Sequence, residues 1–483
     1  MKNDFPFRYT LCSSQLIFQD TEVRLNASSF PPEWIGAKKI LEKIKGKVTI
    51  EKLSTFTERA FVGARVKRLF VRKEEGIPYL MPDDVFMFPL KPRKWVRKET
   101  QDIENWWVEP FTILITQSGA AGRCLIANKH FKDKLVSPNM IRVIPNDKGK
   151  EIIGFIYAFL NSTIGQTFLL KKQYGITVKH IEPEHVGNIP LPLLPESDIK
   201  EINQKILEAH KLREEAQELL LKAEKIFFKE LELPLLNDNA IDYFGGENGK
   251  LVKAFTLPSN EFFTTQIRLN SYSYLPISRY ARKIFVETKK KFELKKLGDP
   301  EVAQKVFTPP RFKRIYVKDE KDGIPLLQGL HIPLLKYFDI KLVWNKMKNL
   351  SEYVIKRNWI LVTCSGTIGR VFLVNKFCEG WTATNHMTRI IPSEKVNAGY
   401  LTIFLHSAYG ASQLQALIYG GVVEELGEAG KLLGDILVPI PSDSTQEKIG
   451  NLVIEAYEKK DQANFIENEV IKLLEAKIEE LAR

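Results

Sequence analysis

The chain repeats itself at long range, and this limits what it can fold into more than any other feature. Arg24-Leu-Asn-Ala-Ser-Ser-Phe30 returns as Arg268-Leu-Asn-Ser-Tyr-Ser-Tyr274, and Arg65-Val-Lys-Arg-Leu-Phe-Val71 returns as Arg311-Phe-Lys-Arg-Ile-Tyr-Val317. The second pair is followed each time by an acidic turn and Gly-Ile-Pro, at 76–78 and 323–325. Leu114-Ile-Thr-Gln-Ser-Gly-Ala-Ala-Gly-Arg123 returns as Leu361-Val-Thr-Cys-Ser-Gly-Thr-Ile-Gly-Arg370. Gly154-Phe-Ile-Tyr-Ala-Phe-Leu-Asn-Ser162 pairs with Gly399-Tyr-Leu-Thr-Ile-Phe-Leu-His-Ser407, and Ile189-Pro-Leu-Pro192 with Val438-Pro-Ile-Pro441. The order is kept and the offset drifts only from 244 to 249, so one fold of about 240 residues is used twice within 483.

Each half begins with short β-rich runs broken by Gly and Pro, which read as strands joined by tight turns. An apolar helix and a Gly-containing loop follow, then the proline-rich segment at 189–192 or 438–441, where proline excludes helix. A long helix ends each half. The first is expected from about Ser197 to Leu233, with Ile199, Ile202, Ile206, Ala209, Leu212, Ala216, Leu219, Ala223 and Ile226 in a one-sided stripe. The second is expected from about Ser444 to the end of the chain, with Ile449, Leu452, Ala456, Ala463, Ile466, Val470, Leu473 and Leu481. Lys460 and Lys477 interrupt its stripe. At 1.5 Å per residue each helix is roughly 50 Å long. A stripe that narrow and long favours the other helix as its partner over the helix's own β domain. The fold class expected is α+β: β-rich domains at 1–195 and 261–443, long helices at 196–233 and 444–483, and a linker at 234–260.

Charge follows the same division. The net charge of +12 is moderate for this length, but residues 279–318 hold 13 Lys or Arg against 4 acids, and residues 57–100 hold 11 against 6. The helical stretches reverse the balance, with 7 against 9 over 197–233 and 6 against 9 over 445–483. Positive charge on two β-rich parts, separated by acidic helices, suits two DNA-facing modules, because phosphate neutralisation supplies most non-specific affinity. Trp95, Trp106, Trp107, Phe312 and Tyr316 are interleaved with the basic residues. A solvated basic face is the plainer alternative for either patch alone.

Other function classes lose ground. Cys12, Cys124, Cys364 and Cys378 contain no CxxC pair and fit a reducing, cytoplasmic setting rather than a disulfide scaffold. The first residues carry Asp4 and no long apolar run, unlike a signal peptide, and the uncharged runs at 152–170 and 396–423 hold too many polar residues for membrane spans. A GxxxxGK[ST] phosphate loop is missing; Gly427-Glu-Ala-Gly-Lys431 has the wrong spacing, and the Gly-rich run at 244–249 reads as a hinge. No Asn-Pro-Pro-Tyr or Asp-Pro-Pro-Tyr run marks an amino-methyltransferase. His180 and His185 lack a third ligand for zinc, and the acids at Asp299, Asp319 and Glu320 only loosely mimic a nuclease cluster. No residues here suggest catalysis or a bound metal.

The arrangement resembles the specificity (S) subunit of type I restriction-modification systems. The likeness rests on Thr363-Cys-Ser-Gly-Thr-Ile-Gly-Arg370 and its weaker copy Thr116-Gln-Ser-Gly-Ala-Ala-Gly-Arg123, on the two proline-rich lead-ins, and on Gln446 to Ile449. It spans about residue 20 to 483. Where the family usually has Glu-Gln after the lead-in, this chain has Glu196-Ser197 and Thr445-Gln446, and Ala120-Ala121 stands opposite Thr367-Ile368. The resemblance implies two tandem target-recognition domains, each followed by a long helix, the helices pairing as an antiparallel coiled coil. It implies a non-catalytic reader of a bipartite, asymmetric site on double-stranded DNA that recruits two methyltransferase (M) subunits and nuclease-translocase (R) subunits. S-adenosylmethionine, Mg and ATP would belong to those partners and not to this chain, which would have no cofactor and no membrane contact. Arg65, Lys67, Arg68, Arg311, Lys313 and Arg314 are the first candidates for phosphate or base contacts. Ser118, Gly119, Arg123, Ser365, Gly366 and Arg370 are the second, since small residues let backbone approach DNA, although a hairpin turn with only a folding role explains them equally. Helix pairing and partner contacts fall to Ile199, Ile202, Ile206, Leu212, Leu219, Ile449, Leu452, Ile466, Val470 and Leu473. Two other functions stay open: an S-like adaptor in another methylation-linked phage-defence complex, and a DNA-modifying enzyme with an unrecognised active site.

Overall fold

The computed structural model describes residues 14, 31–171, 180–236, 255–259, 271–288, 291–420, 424–426 and 432–483. The repeat landmarks at 24–30 and 268–270, the run at 244–249 and most of the linker lie outside these residues. The chain divides into two compact units, Met1–Glu214 with Gln462–Arg483, and Glu215–Asp461. Each unit therefore holds one β-rich half and part of each long helix.

In the first unit, Thr57–Val62, Met140–Pro145, Ile113–Thr116 and Cys124–Ile126 form one four-stranded sheet, in that order. Ile113–Thr116 is buried along its whole length, as its apolar run Ile-Leu-Ile requires. A second sheet orders Phe70–Val71, Lys94–Arg97, Gly76–Leu80 and Leu135–Val136, the last pair parallel. Thr49–Lys52 pairs antiparallel with the proline-rich Pro190–Leu193. The second unit repeats this strand for strand. Its first sheet is Ala303–Phe307, Met387–Pro392, Ile360–Thr363 and Val371–Leu373; its second is Tyr316–Val317, Lys341–Trp344, Gly323–Leu327 and Thr382–Ala383. Glu293–Lys296 pairs with Leu437–Ile440.

The apolar runs at 152–170 and 396–416 each become two short helices, Ile153–Asn161 with Thr163–Lys171 and Ala398–His406 with Ala408–Ala416. The break falls on a serine: Ser162 Oγ accepts from the Gly165 N–H at 3.1 Å, and Ser407 Oγ from the Gly410 N–H at 3.3 Å. Capping the second helix this way bends the first pair by 75°. Among the described residues no single helix is long and apolar enough to cross a membrane. The repeated Gly154 and Gly399 have a packing reason. A Cβ at Gly154 would lie 2.6 Å from the Asn203 carbonyl oxygen, and one at Gly399 would lie 2.1 Å from that of Gly450. Only glycine lets these helices sit so close to the long ones.

The long helices are Glu196–Glu230 and Asp443–Ala482. The first stops where Glu232 takes a φ of 53° ahead of Pro234. In the first unit the helices run antiparallel: Lys477 meets Asp198 at 3.3 Å and Glu467 meets Arg213 at 2.5 Å. Ile202 and Ile206 share a core with Val470, Leu474 and Ile478. In the second unit, Lys459 meets Glu215 and Lys448 meets Glu230, each at 2.8 Å, again antiparallel.

Both seams are more polar than the apolar spacing implies. Leu212, Leu219 and Leu452 are only partly buried, while Arg213, Leu220 and Val453 occupy the fully buried positions beside them. In the first unit Arg213 Nη1 donates to Glu467, Arg213 Nη2 donates to Asn464 Oδ1 at 2.8 Å, and the Tyr157 hydroxyl donates to the same carboxylate at 3.2 Å. In the second unit the residue at the repeat position of Arg213 is Lys460, 1% exposed. Its ammonium donates to the Tyr337 hydroxyl at 2.9 Å and lies 5.1 Å from the centre of the Phe372 ring. Asp461 beside it is 5% exposed, and burial pushes its carboxyl up to about 6.

Two stability tests follow from these seams. Glu467→Leu strands the buried Arg213 guanidinium and is expected to cost about 3–5 kcal/mol in urea denaturation of the whole chain. The double variant R213L/E467L should recover most of that loss, because it removes both charges. Asp461 keeps its proton in the folded chain up to about pH 6, whereas the unfolded carboxyl loses it near 3.9. Its contribution to stability is therefore present below that lower value and is lost as pH rises through the folded one, by up to ~3 kcal/mol. Asp461→Asn should remove this component, so its stability relative to wild type rises across the same window.

Candidate nucleic-acid interface

In each unit the basic segment crosses from one sheet to the other over an aromatic shelf. Trp106, fully buried, donates its indole N–H to the Ala64 carbonyl at 2.9 Å, and its ring lies 5.8 Å from that of Tyr79. At the matching place Tyr353 donates its hydroxyl to the Pro310 carbonyl at 3.2 Å and packs on Phe312, with ring centres 3.8 Å apart. The segment's backbone is thus held by an aromatic donor in both copies, a Trp in one and a Tyr in the other. Trp106 was expected among DNA-facing aromatics and is instead core; Trp107 beside it is 40% exposed.

The basic side chains stand on the outer side of this backbone. Arg65, Lys67, Arg68, Arg311 and Lys313 are exposed and Arg314 is half-buried. Leu69, Phe70, Ile315 and Tyr316 are exposed next to them. Lys94 lies 4.5 Å from the Phe70 ring centre, and Lys341 lies 5.2 Å from that of Tyr316. Each copy therefore presents cations mixed with accessible rings. Lys67 also borders a shallow groove with Val66, Leu69 and Arg97.

The Ser-Gly candidates form the hairpin that closes the first sheet. Thr116 Oγ1 donates to the Ala120 carbonyl at 2.5 Å and accepts from the Arg123 N–H at 2.9 Å; Thr363 does the same to Thr367 and from Arg370 at 2.5 and 3.0 Å. Gly119 and Gly366 take φ values of 76° and 79°, in the left-handed region, so the turn itself requires glycine there. Nothing lies within 4 Å of a Cβ built on either glycine, so the tip is open. Ser118 and Ser365 are partly exposed at the tips, whereas Arg123 and Arg370 sit half-buried at the bases. The structure brings the basic segment to a strand end of the first sheet in each copy, to the hairpin's own Gln117 in the first and to Asn385, outside the hairpin, in the second. Arg65 Nη2 donates to Gln117 Oε1 at 2.9 Å, and Arg314 Nη2 donates to Asn385 Oδ1 at 3.1 Å. His386 follows Asn385; burial and the nearby Arg314 and Arg311 guanidiniums hold its imidazole below the ordinary range.

Beneath this surface lies a pair of buried arginines that are not among the sequence-derived candidates. Arg142 and Arg389 occupy the same place in Met140–Pro145 and Met387–Pro392. Arg142 donates to the carbonyls of Met140 at 2.8 Å and Val136 at 2.6 Å, and Arg389 to those of Met387 at 2.6 Å and Ala383 at 2.8 Å. Each joins the two sheets of its unit, and burial brings both guanidiniums down to about 10. The signal was available: a charge recurs at one register in an otherwise apolar strand. Gln117, Asn385 and His386 carried no such signal, because they are not matched between the copies. Among the described residues no group of His, Cys, Asp or Glu could hold a metal ion.

Residues 300–472 match the model of the type I restriction modification DNA specificity domain. No curated protein matches the chain. Similar solved structures include the S subunit of a type I restriction-modification system from M. genitalium, 12% identical, with 90% of this chain and 95% of that one covered at a TM-score of 0.35. The HsdS subunit from Thermoanaerobacter tengcongensis is 13% identical, with 90% and 96% covered and a TM-score of 0.27.

The buried arginines generate a direct test of how this face is held. Arg389→Met keeps the bulk and leaves the carbonyls of Ala383, Thr384 and Met387 without their donor. The expected loss is about 2–4 kcal/mol in chemical denaturation, and amide exchange should rise over 383–387 before it rises in the long helices.

Proposed function

We propose that the chain is a specificity subunit of a type I restriction-modification system and that it reads a split, asymmetric DNA site, one part with each β-rich half. The family's domain is matched over residues 300–472, and the first half carries the same sheets in the same strand order. That duplication of a DNA specificity domain is the observation that carries the proposal. The chain is the non-catalytic, DNA-reading component and acts with methyltransferase and restriction subunits.

The finer reading has three parts. The exposed cations Lys67, Arg68, Arg311 and Lys313 would neutralise phosphates and set the register, giving an affinity that falls steeply with salt. Side chains at the junction of basic segment and Ser-Gly hairpin would read base edges. Helices of 35 and 40 residues would act as a spacer between half-sites, roughly 50–60 Å of rod at 1.5 Å per residue. Two methyltransferase subunits and the nuclease-translocase subunits would supply S-adenosylmethionine, Mg and ATP chemistry. This chain's own residues would bind and orient DNA for them.

Mapping methylated sites in cells that carry the chain and its methyltransferase partner tests the proposal. A gapped, asymmetric motif is the expected result. Exchanging residues 20–195 for the first domain of another family member should change one half of that motif and leave the other intact. If both halves change together, or the motif is continuous, each domain is not reading its own half-site. The purified chain with S-adenosylmethionine and DNA should transfer no methyl group on its own.

A further inference from the structure

Six exposed or half-exposed cations stand on the two basic segments, and the structure separates two of them from the rest. Arg65 is bound by Gln117, which is 1% exposed, and Arg314 by Asn385, which is 8% exposed. Both amides sit where two strand ends of the first sheet meet. The Gln117 N–H donates to the Asn139 carbonyl at 3.2 Å, and at the matching place the Cys364 N–H donates to the His386 carbonyl at 2.9 Å. In the first copy the amide comes from one strand end, in the second from the other. Arg68 is tethered elsewhere, to the Tyr79 hydroxyl at 2.9 Å, and Lys67, Arg311 and Lys313 project from the exposed segment.

A phosphate contact needs only a cation within reach, because the charge is diffuse and carries no sequence information. Reading a base edge needs a planar donor pair held in a fixed orientation. A buried amide that accepts one guanidinium N–H supplies that orientation and leaves other donors of the fork for a ligand. We infer that Arg65 and Arg314 are the base-reading residues of the two halves, each set in place by a buried amide, Gln117 or Asn385, and each reading a guanine. The remaining cations serve the backbone. This rests on the DNA-reading function proposed above.

The two readers do not share a repeat position. Arg65 aligns with Arg311, and Arg314 aligns with Arg68. One fold would therefore present its guanidinium three residues further along the segment in the second copy, against a different step of the duplex. This gives a physical source for unlike half-sites within a duplicated fold.

The test uses the full chain with its methyltransferase subunits and a pool of randomised DNA duplexes, selected by binding. Arg65→Lys and Arg314→Lys keep their charge and lose the planar fork. Each should relax one guanine position, in opposite halves of the selected motif, and weaken binding to the wild-type motif about 5- to 150-fold. Binding to unrelated duplex and its salt slope should stay unchanged. Gln117→Ala should relax the same position as Arg65→Lys and add little to it in the double variant. Lys67→Ala should instead weaken all duplexes evenly and lower the salt slope by about 1. Lysine variants that leave the motif intact, or weaken every duplex alike, overturn the assignment. A wild-type complex that selects no motif overturns the reading function itself.

Discussion

Each β-rich half depends on a buried guanidinium with no carboxylate beside it. Taking such a charge out of water costs several kcal/mol, and in both copies backbone carbonyls at the join of the two sheets compensate for it. Arg142 belongs to one sheet and Val136 to the other, and Arg389 and Ala383 repeat the relation. The stretch that follows, 137–140 or 384–387, is fixed by the same fork. Because Asn139 and His386 lie there and bond the backbone of the Ser-Gly hairpin, the surface above is ordered from below. Burial lowers both guanidiniums only to about 10, so they stay charged at neutral pH and add to the positive field of the faces.

The seams of the long helices solve a different problem. Two similar halves joined by similar helices have several near-equivalent ways to pair. Apolar residues at every buried position would make those alternatives close in energy. Arg213 breaks the degeneracy in the first unit, since its two Nη atoms donate to Glu467 and Asn464 and the Tyr157 hydroxyl donates to the same carboxylate. The repeat position of Glu467 is Leu220, which could not pair it. In the second unit Lys460 takes the place of Arg213 and finds aromatic rings and a tyrosine hydroxyl instead. The two seams are thus unlike in chemistry while alike in backbone.

Much of this architecture was legible from residues alone. Long-range self-comparison implied one fold twice, and the proline-rich lead-ins and unbroken helical stripes located the long helices close to where they lie. Side-chain placement was less legible, for a definite reason. Spacing rules treat a long charged residue as a surface marker, so Leu212 and Leu219 were expected in the seam. The burial of Arg213 depends on Glu467, 254 positions away, which no local pattern reports. Trp106 was misplaced for a similar reason. A tryptophan among cations looks like a stacking platform, but its indole is committed to the Ala64 carbonyl. The Ser-Gly hairpin was visible as a motif, and its threonine closure explains the motif as a turn. That Arg65 and Arg314 bond Gln117 and Asn385 follows from contacts between segments far apart in the chain.

The two copies differ at their candidate DNA-facing surfaces as well as in their helix seams. Strand order, the closing threonines, the buried arginines and the close-packed Gly154 and Gly399 are the same in both. Side chains that point to or support the outer face are exchanged: Trp106 for Tyr353, Gln117 for Cys364, Asn139 for His386. A fold that must read two different half-sites would vary in this way, because backbone position has to be conserved for register while the donor pattern has to change. The Trp106 and Tyr353 exchange shows the limit of that freedom. Both supply one hydrogen-bond donor to the same backbone carbonyl position, so the aromatic support may change its ring but not its bond.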